Sequence, residues 1–310
     1  QCPSGLMASA TAAKQIIVDR MDICVAGGVE SITAIRNNTG KPQRDEELLK
    51  MHPDIFMPMI GTAEVVAKRY GISREDQDAY SLQSQQRTAA AQESGKLADE
   101  IIEVTTVMDV KDRESGEVSQ QDVTVAMDEC NRPTTTLEGL AKLDPVMGEG
   151  HTITAGNASQ QNDAAAACLV VSEDKLDELG LEPMLWFDSW AAAGCDPARM
   201  GIGPVPATER LFARSGKGWD HIDLVELNEA FAPQVLAVLK GWGWSEDDSR
   251  RDMLNVNGSG ISLGHPIGAT GVRILTDMAH ELHRREGRYA LETMCIGGGQ
   301  GLAALFERAA

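Results

Sequence analysis

The sequence is short of several things, and each shortage excludes something. Basic residues are in deficit: 28 Lys and Arg stand against 47 Asp and Glu, a formal charge of −19. So acidic a chain would be repelled by nucleic acid and by anionic membrane surfaces, which excludes both as partners. Long apolar runs are missing. Ala164 to Val171 is the best candidate and falls well below the roughly 18–20 residues of a membrane span. Cysteine is sparse: Cys2, Cys24, Cys130, Cys168, Cys195 and Cys295 are scattered, with no CxxC pair. That pattern predicts reduced thiols and a cytoplasmic location. No GxGxxG or GxxxxGK[ST] loop is present, so the usual dinucleotide and P-loop sites are not expected. His280 and His283 are too few ligands for a metal site and read as a solvated helix face. Aromatics are only 4%, but 42% apolar and 24% charged residues are ordinary globular composition. The length of 310 residues suggests two domains or one large α/β unit. The chain begins at Gln1 with no signal peptide, and a front segment is expected to precede it.

Small residues and glycine turns shape what is there. SGLMASATAAKQIIV, Ser4 to Val18, predicts a helix with Ser4 as N-cap, buried on most of its faces. Asp22 to Ala26 predicts a core strand ended by Gly27 and Gly28. Residues 33–150 are more polar and read as an excursion placed over something. They carry helical runs at Ala63–Tyr70 and Arg74–Ser94, the second capped by Ser73 with Asp76. Strands are expected at Thr105–Val110 and Val123–Ala126. The core pattern returns with a helix-to-strand run at Ala164–Val171, strands at Trp186–Ala193 and Leu224–Glu226, and a helix at Asn228–Lys240. A helix from Gly271 to His283, a strand at Tyr289–Ile296 and a last strand near Leu302–Phe306 follow. The order helix, strand, glycine turn occurs early and again late, which suggests a duplicated α/β core.

Four residues could carry chemistry. Cys2 precedes a helix start, whose partial positive charge would lower a thiol pKa and favour the thiolate nucleophile. A buried structural cysteine is the plain alternative. His265, in GHPIGATG, sits where the backbone can approach a ligand, and could act as base or oxyanion donor. Cys295 ends a strand beside three glycines, which suits an acid/base thiol. Asn228 reads most simply as the N-cap of NEAFAPQV.

Taken in order, the strings Cys2–Leu6, Ala26–Ser31, Thr154–Ser159, Met200–Ala207, Asn228–Ala232, Gly264–Gly271 and Cys295–Gly301 are far more specific than any one of them. They are CPSGL, AGGVES, TAGNAS, MGIGPVPA, NEAFA, GHPIGATG and CIGGGQG. In this the sequence resembles the thiolase family, the acetyl-CoA acetyltransferases and 3-ketoacyl-CoA thiolases, over its whole length. The resemblance implies an α/β fold with a duplicated five-layer α-β-α-β-α core and an inserted loop domain. It divides the chain into an N-terminal domain of residues 1–32 and 155–178, a loop domain of residues 33–154 over the coenzyme A channel, and a C-terminal domain of residues 179–310. It implies thiolytic cleavage or Claisen condensation through an acyl-cysteine. Cys2 would be acylated, His265 would activate it, Asn228 would hold a water in the first oxyanion hole, and Cys295 would move the α-carbon proton. The N–H groups of Cys2 and Gly297 would form the second oxyanion hole. Ser159 would touch the pantetheine arm and Arg132 the adenine end. The other reading of Arg132 is a surface residue paired with Asp128 or Glu129. Coenzyme A and acyl-CoA are the expected partners, coenzyme A being substrate, with no metal or separate cofactor, in a homodimer or homotetramer serving fatty acid metabolism. The implied activity is acetyl-CoA C-acyltransferase, with acetyl-CoA C-acetyltransferase its first case. FMPMIGTA, Phe56 to Ala63, lacks the histidine that many acetyl-specific members carry, which weighs against acetoacetyl specificity alone. Pro3 replaces a small residue of the family but leaves the Cys2 N–H intact. A non-catalytic thiolase-like protein that binds acyl-CoA or lipid is the alternative, and the intact NEAFA, GHP and CIGGG strings argue against it.

Overall fold

The computed structural model describes residues 1–38, 44–112 and 114–309. The helices are α1 (Ser4–Asp19), α2 (Ile32–Asn38), α3 (Glu46–Met51), α4 (Met59–Tyr70), α5 (Arg74–Glu93), α6 (Leu137–Ala141), α7 (Leu176–Leu179), α8 (Pro204–Ser215), α9 (Ala232–Trp242), α10 (Gly260–Leu263) and α11 (Thr270–Arg284). The strands are β1 (Ile23–Glu30), β2 (Val104–Lys111), β3 (Val118–Val125), β4 (Ala164–Val171), β5 (Leu185–Gly194), β6 (Leu224–Leu227), β7 (Tyr289–Ile296) and β8 (Gln300–Arg308).

Four layers succeed one another among the described residues. The antiparallel pair β1–β4 comes first. Helices α1 and α11 come next, packed on each other and on both sheets. The mixed sheet β5-β8-β7-β6 is third, with β6 and β7 parallel. Helices α8 and α9 cover its far side, where Leu211, Val235, Val238 and Leu239 meet Val225, Leu227, Leu291 and Leu305. On the near side Ile274, Met278 and Leu282 of α11 pack on Leu224, Ala290, Met294 and Phe306. Every residue of β7 is buried, as a strand covered on both faces should be. In β1 burial alternates, and Val25 and Val29 point outward at 72% and 75% exposure. The antiparallel hairpin β2–β3 lies on the surface of the excursion. No helix among the described residues is long and apolar enough to cross a membrane.

Several expectations change in the structure. Pro3, not Ser4, is the N-cap of α1, and the Ser4 hydroxyl donates back to the Gln1 carbonyl at 2.6 Å. The helix buries Gly5, Leu6, Ser9, Ala10, Ala12 and Ala13, but Thr11, Ile17 and Val18 are exposed. Strand β1 does not stop at Gly27: it runs through both glycines to Glu30, paired with β4 throughout. Residues 164–171 are strand from end to end. Helix α9 starts at Ala232 with Phe231 as N-cap, so Asn228 caps nothing and lies in a four-residue loop after β6. The Ser73 capping box is present, with both reciprocal hydrogen bonds, 3.0 and 3.1 Å, to Asp76.

Candidate active site

Cys2 sits in the turn that leads into α1, at the edge of the apolar cluster between α11 and the large sheet. Cys295 lies at the end of β7, with no exposed surface, packed against Met200 and Ala230 and beside Met59 and Phe231. The two thiols are close enough for an ionised Cys2 to oppose ionisation of Cys295. Burial pushes Cys2 above the ordinary thiol range, and the Gly297 N–H facing its sulfur pulls partly the other way. Burial, with Cys2 nearby, pushes Cys295 up much further. The expected lowering of Cys2 by the helix start is therefore overturned: desolvation outweighs it, and both thiols are protonated at neutral pH.

A base is then required, and His265 has the form of one. It ends the α10 loop, is buried, and has its pKa lowered to about 4 by desolvation, with Arg273 assisting. The ring is neutral at pH 7. Its tautomer follows from Thr270, whose hydroxyl donates to the Pro266 carbonyl at 2.9 Å and so accepts at 2.7 Å from His265 Nδ1. With the proton on Nδ1, the Nε2 lone pair is free to take another. Asn228 lies 3.4 Å from both ring nitrogens through Nδ2. The Asn228 backbone N–H donates to Thr293 O at 3.0 Å, and its buried Oδ1 has no protein partner. Among the described residues no hydrogen bond joins His265 to Cys2.

Close backbone approach holds the Cys2 side against the His265 loop. A methyl group on Gly28 would overlap the Gly268 carbonyl oxygen, and one on Gly271 would overlap the Leu6 amide. A methyl on Gly5 would fall 2.7 Å from Val272 N. Glu30 adds a polar tie, accepting from Gly268 N at 3.0 Å. Gly264 has φ of +88°, a conformation that side chains rarely adopt, and this turns the chain into His265.

Residues 1–174 match the family described as thiolase, N-terminal domain, and residues 181–308 match thiolase, C-terminal domain. The chain belongs to the thiolase family. Thiolases are acyltransferases acting on acyl-CoA, and so is this chain; a non-catalytic role is not favoured. It is 43% identical to an acetyl-CoA acetyltransferase of Chromobacterium violaceum, over 99% of this chain and 78% of that protein. It is 41% identical to a 3-ketoacyl-CoA thiolase of Bacillus subtilis, over 99% and 77%. It also superposes on the human mitochondrial 3-ketoacyl-CoA thiolase in complex with CoA, with a TM-score of 0.83, 38% identity, and coverage of 99% and 76%. The thiolase fold is thereby shown.

In this thiolase Ser159 stands beside NEAFA: its N–H donates to Ala230 O at 3.0 Å, and Ala158 bridges to Phe231. Arg132 is exposed, and its backbone N–H donates to Gln85 Oε1 at 2.8 Å. Among the described residues it forms no ion pair with Asp128 or Glu129. The structure thus brings Cys2, Cys295 and Gly297 together, and separately pairs His265 with Asn228. Sequence reasoning missed Thr270, which sets the His265 tautomer, and Glu229, which collects four hydrogen bonds. The signal for Glu229 was available in part: Tyr80, Ser84 and Thr88 repeat every four residues on a helix with few apolar residues, which marks one polar face with a partner.

Proposed function

We propose that this thiolase is an acetyl-CoA C-acyltransferase, whose short-chain case is acetyl-CoA C-acetyltransferase, with coenzyme A as substrate and no separate cofactor. In thiolysis the Cys2 sulfur attacks the 3-keto carbonyl of the acyl-CoA, and its proton passes to His265 Nε2. The bond between the α and β carbons breaks, and its electron pair takes a proton from the Cys295 thiol, releasing acetyl-CoA. The remaining acyl group stays on Cys2 as a thioester. The Cys295 thiolate then removes the proton of a second coenzyme A, whose sulfur attacks the acyl group. Cys2 leaves and recovers its proton from His265. Condensation is the same path reversed. The Cys2 and Gly297 N–H groups and the Asn228–His265 pair would stabilise the two oxyanions, each donor supplying roughly 3–4 kcal/mol. Ser159 would meet the pantetheine arm and Arg132 the nucleotide.

The observation that carries this reading is the pair of protonated thiols, a half-buried Cys2 facing the Gly297 N–H and a fully buried Cys295 near it, with a neutral imidazole available as base. One thiol can hold the acyl group while the other serves the carbon acid, with no metal needed for the proton transfers. Met59 lies against Gly297 and Cys295, and its pliable side chain could admit more than an acetyl group. Incubation with acetyl-CoA should leave an acetyl group on the tryptic peptide 1–14, seen by mass spectrometry, and Cys2→Ala should abolish it. Cys295→Ala should still acetylate Cys2 but fail to exchange the acetyl methyl protons with deuterium. An adduct mapping elsewhere, or normal exchange without Cys295, would refute the assignment. Comparing kcat/KM for acetoacetyl-CoA and 3-ketohexanoyl-CoA reads the chain length.

A further inference from the structure

Glu229 follows Asn228 in the chain and is buried. Its carboxylate accepts four hydrogen bonds: from Tyr80 Oη at 2.8 Å, Ser84 Oγ at 2.7 Å, Asn255 Nδ2 at 3.1 Å and Ile261 N at 3.2 Å. All four donors are neutral, and no ion pair reaches the carboxylate among the described residues. Burial and the Glu229 charge both raise the Tyr80 pKa far above its ordinary value, so the phenol remains a donor.

The partners come from three directions. Tyr80 and Ser84 lie one turn apart on α5, in the excursion. Asn255 grips the residue before Asn228 as well, donating to Leu227 O and accepting from Leu227 N, both at 2.8 Å. The chain is therefore pinned on both sides of Asn228. Ile261 belongs to α10, which runs directly into Gly264 and His265. Ser84 also bonds Ser262 at 2.9 Å, and Ser262 bonds Thr88 at 2.7 Å, which extends the contact along α5. One carboxylate thus joins the Asn228 loop, the segment leading to His265, and the excursion helix.

We propose that Glu229 is a positioning residue that couples the docking of α5 to the Asn228–His265 pair, so that the rate of acyl transfer depends on a contact remote from the reacting atoms. The inference rests on the reading above that Asn228 and His265 serve the thioester oxygen. Groups that stabilise an oxyanion must be held to a few tenths of an ångström, and hydrogen bonds from behind are the usual way of holding them.

The test is a kinetic cycle on the full chain, with acetoacetyl-CoA and coenzyme A as substrates. Glu229→Gln and Tyr80→Phe are compared in the native background and in Asn228→Ala. Tyr80→Phe is the milder change and keeps the test alive if Glu229→Gln does not fold. Expected are a fall in kcat of about tenfold for Glu229→Gln and about threefold for Tyr80→Phe, with KM for coenzyme A held within about twofold. In the Asn228→Ala background the Tyr80→Phe effect should vanish, a loss that a purely structural role would not produce. If Asn228→Ala slows turnover but the other two variants do not, or act by the same factor in both backgrounds, the coupling is refuted and the site reading survives. Normal turnover by Asn228→Ala would overturn both.

Discussion

Two seams hold the site together, and they work by opposite means. Between α1–β1 and the His265 loop there is almost no side chain: Gly5, Gly28 and Gly271 let backbone press on backbone. Between α5 and the NEAFA region there is almost nothing but side chain. Tyr80, Ser84, Gln85 and Thr88 are buried on one helix, and their hydroxyls and amide reach across to Glu229, Ile261, Asn257 and Ser262. The first seam fixes position by exclusion, because any added atom collides. The second fixes it by direction, because each hydrogen bond has a preferred angle as well as a length. On the proposed function, the first seam would set the distance between nucleophile and oxyanion pocket and the second their orientation. The two should fail differently.

The glycine seam should fail abruptly. Gly271→Ala would force a methyl group into the Leu6 backbone, where no side chain can yield. We expect a loss of at least about 3 kcal/mol in urea unfolding, near the top of the range for overpacking. A loss below about 1 kcal/mol would show that the helices slide apart at little cost.

His265 belongs to both seams and should separate them by pH. Its folded pKa of about 4 lies below the ordinary value of 6.5, so the unfolded chain binds the extra proton first. Stability from this group is then complete above pH 6.5 and is lost as pH falls toward 4. The difference between the native protein and His265→Asn should shrink across that window by roughly 3 kcal/mol. A difference flat in pH would mean that the ring is hydrated in the folded state.

The polar seam should fail by degrees. Tyr80→Phe deletes one donor of four to Glu229 and should cost about 1–2 kcal/mol of stability in thermal or urea unfolding. The smallest expected effect sharpens the contrast most. Gly5→Ala and Ser84→Ala share no partner, so their stability costs should add to within about 0.5 kcal/mol in a double-mutant cycle. Strong coupling would mean that the two seams are one cooperative unit.

Much of this was legible in the sequence for identifiable reasons. Tyr289–Ile296 is a continuous apolar run apart from Glu292 and Thr293, and it became a strand with the predicted ends. Ser73 with Asp76 announced α5 through local hydrogen bonds that need no tertiary context. The strings around Cys2, Cys295, His265 and NEAFA carry the family resemblance, which the two family matches bear out. The errors arose where distant chain decides. Gly27 and Gly28 look like a turn, yet β4 pairs with them and the Gly268 carbonyl needs the space. Asn228 looks like an N-cap, yet Thr293 and Asn255 hold this loop open for three more residues. The helix start after Cys2 suggests a thiolate, but burial, which no local pattern reports, has the larger effect and raises the thiol pKa.

The aromatic cluster beside the polar seam gives the molecule an optical character. Of its five tryptophans, Trp219, Trp242 and Trp244 meet in tilted and edge-on contacts with ring centroids 4.8–5.2 Å apart, with Phe212 4.9 Å from Trp219. Indoles this close share their excited states, so much of the near-ultraviolet circular dichroism would come from one patch. That patch closes the C-terminal end of α9, and Trp244 and Tyr80 belong to the same buried cluster. The intrinsic fluorescence of the protein would therefore report on the place where the excursion helix meets the body of the C-terminal sheet.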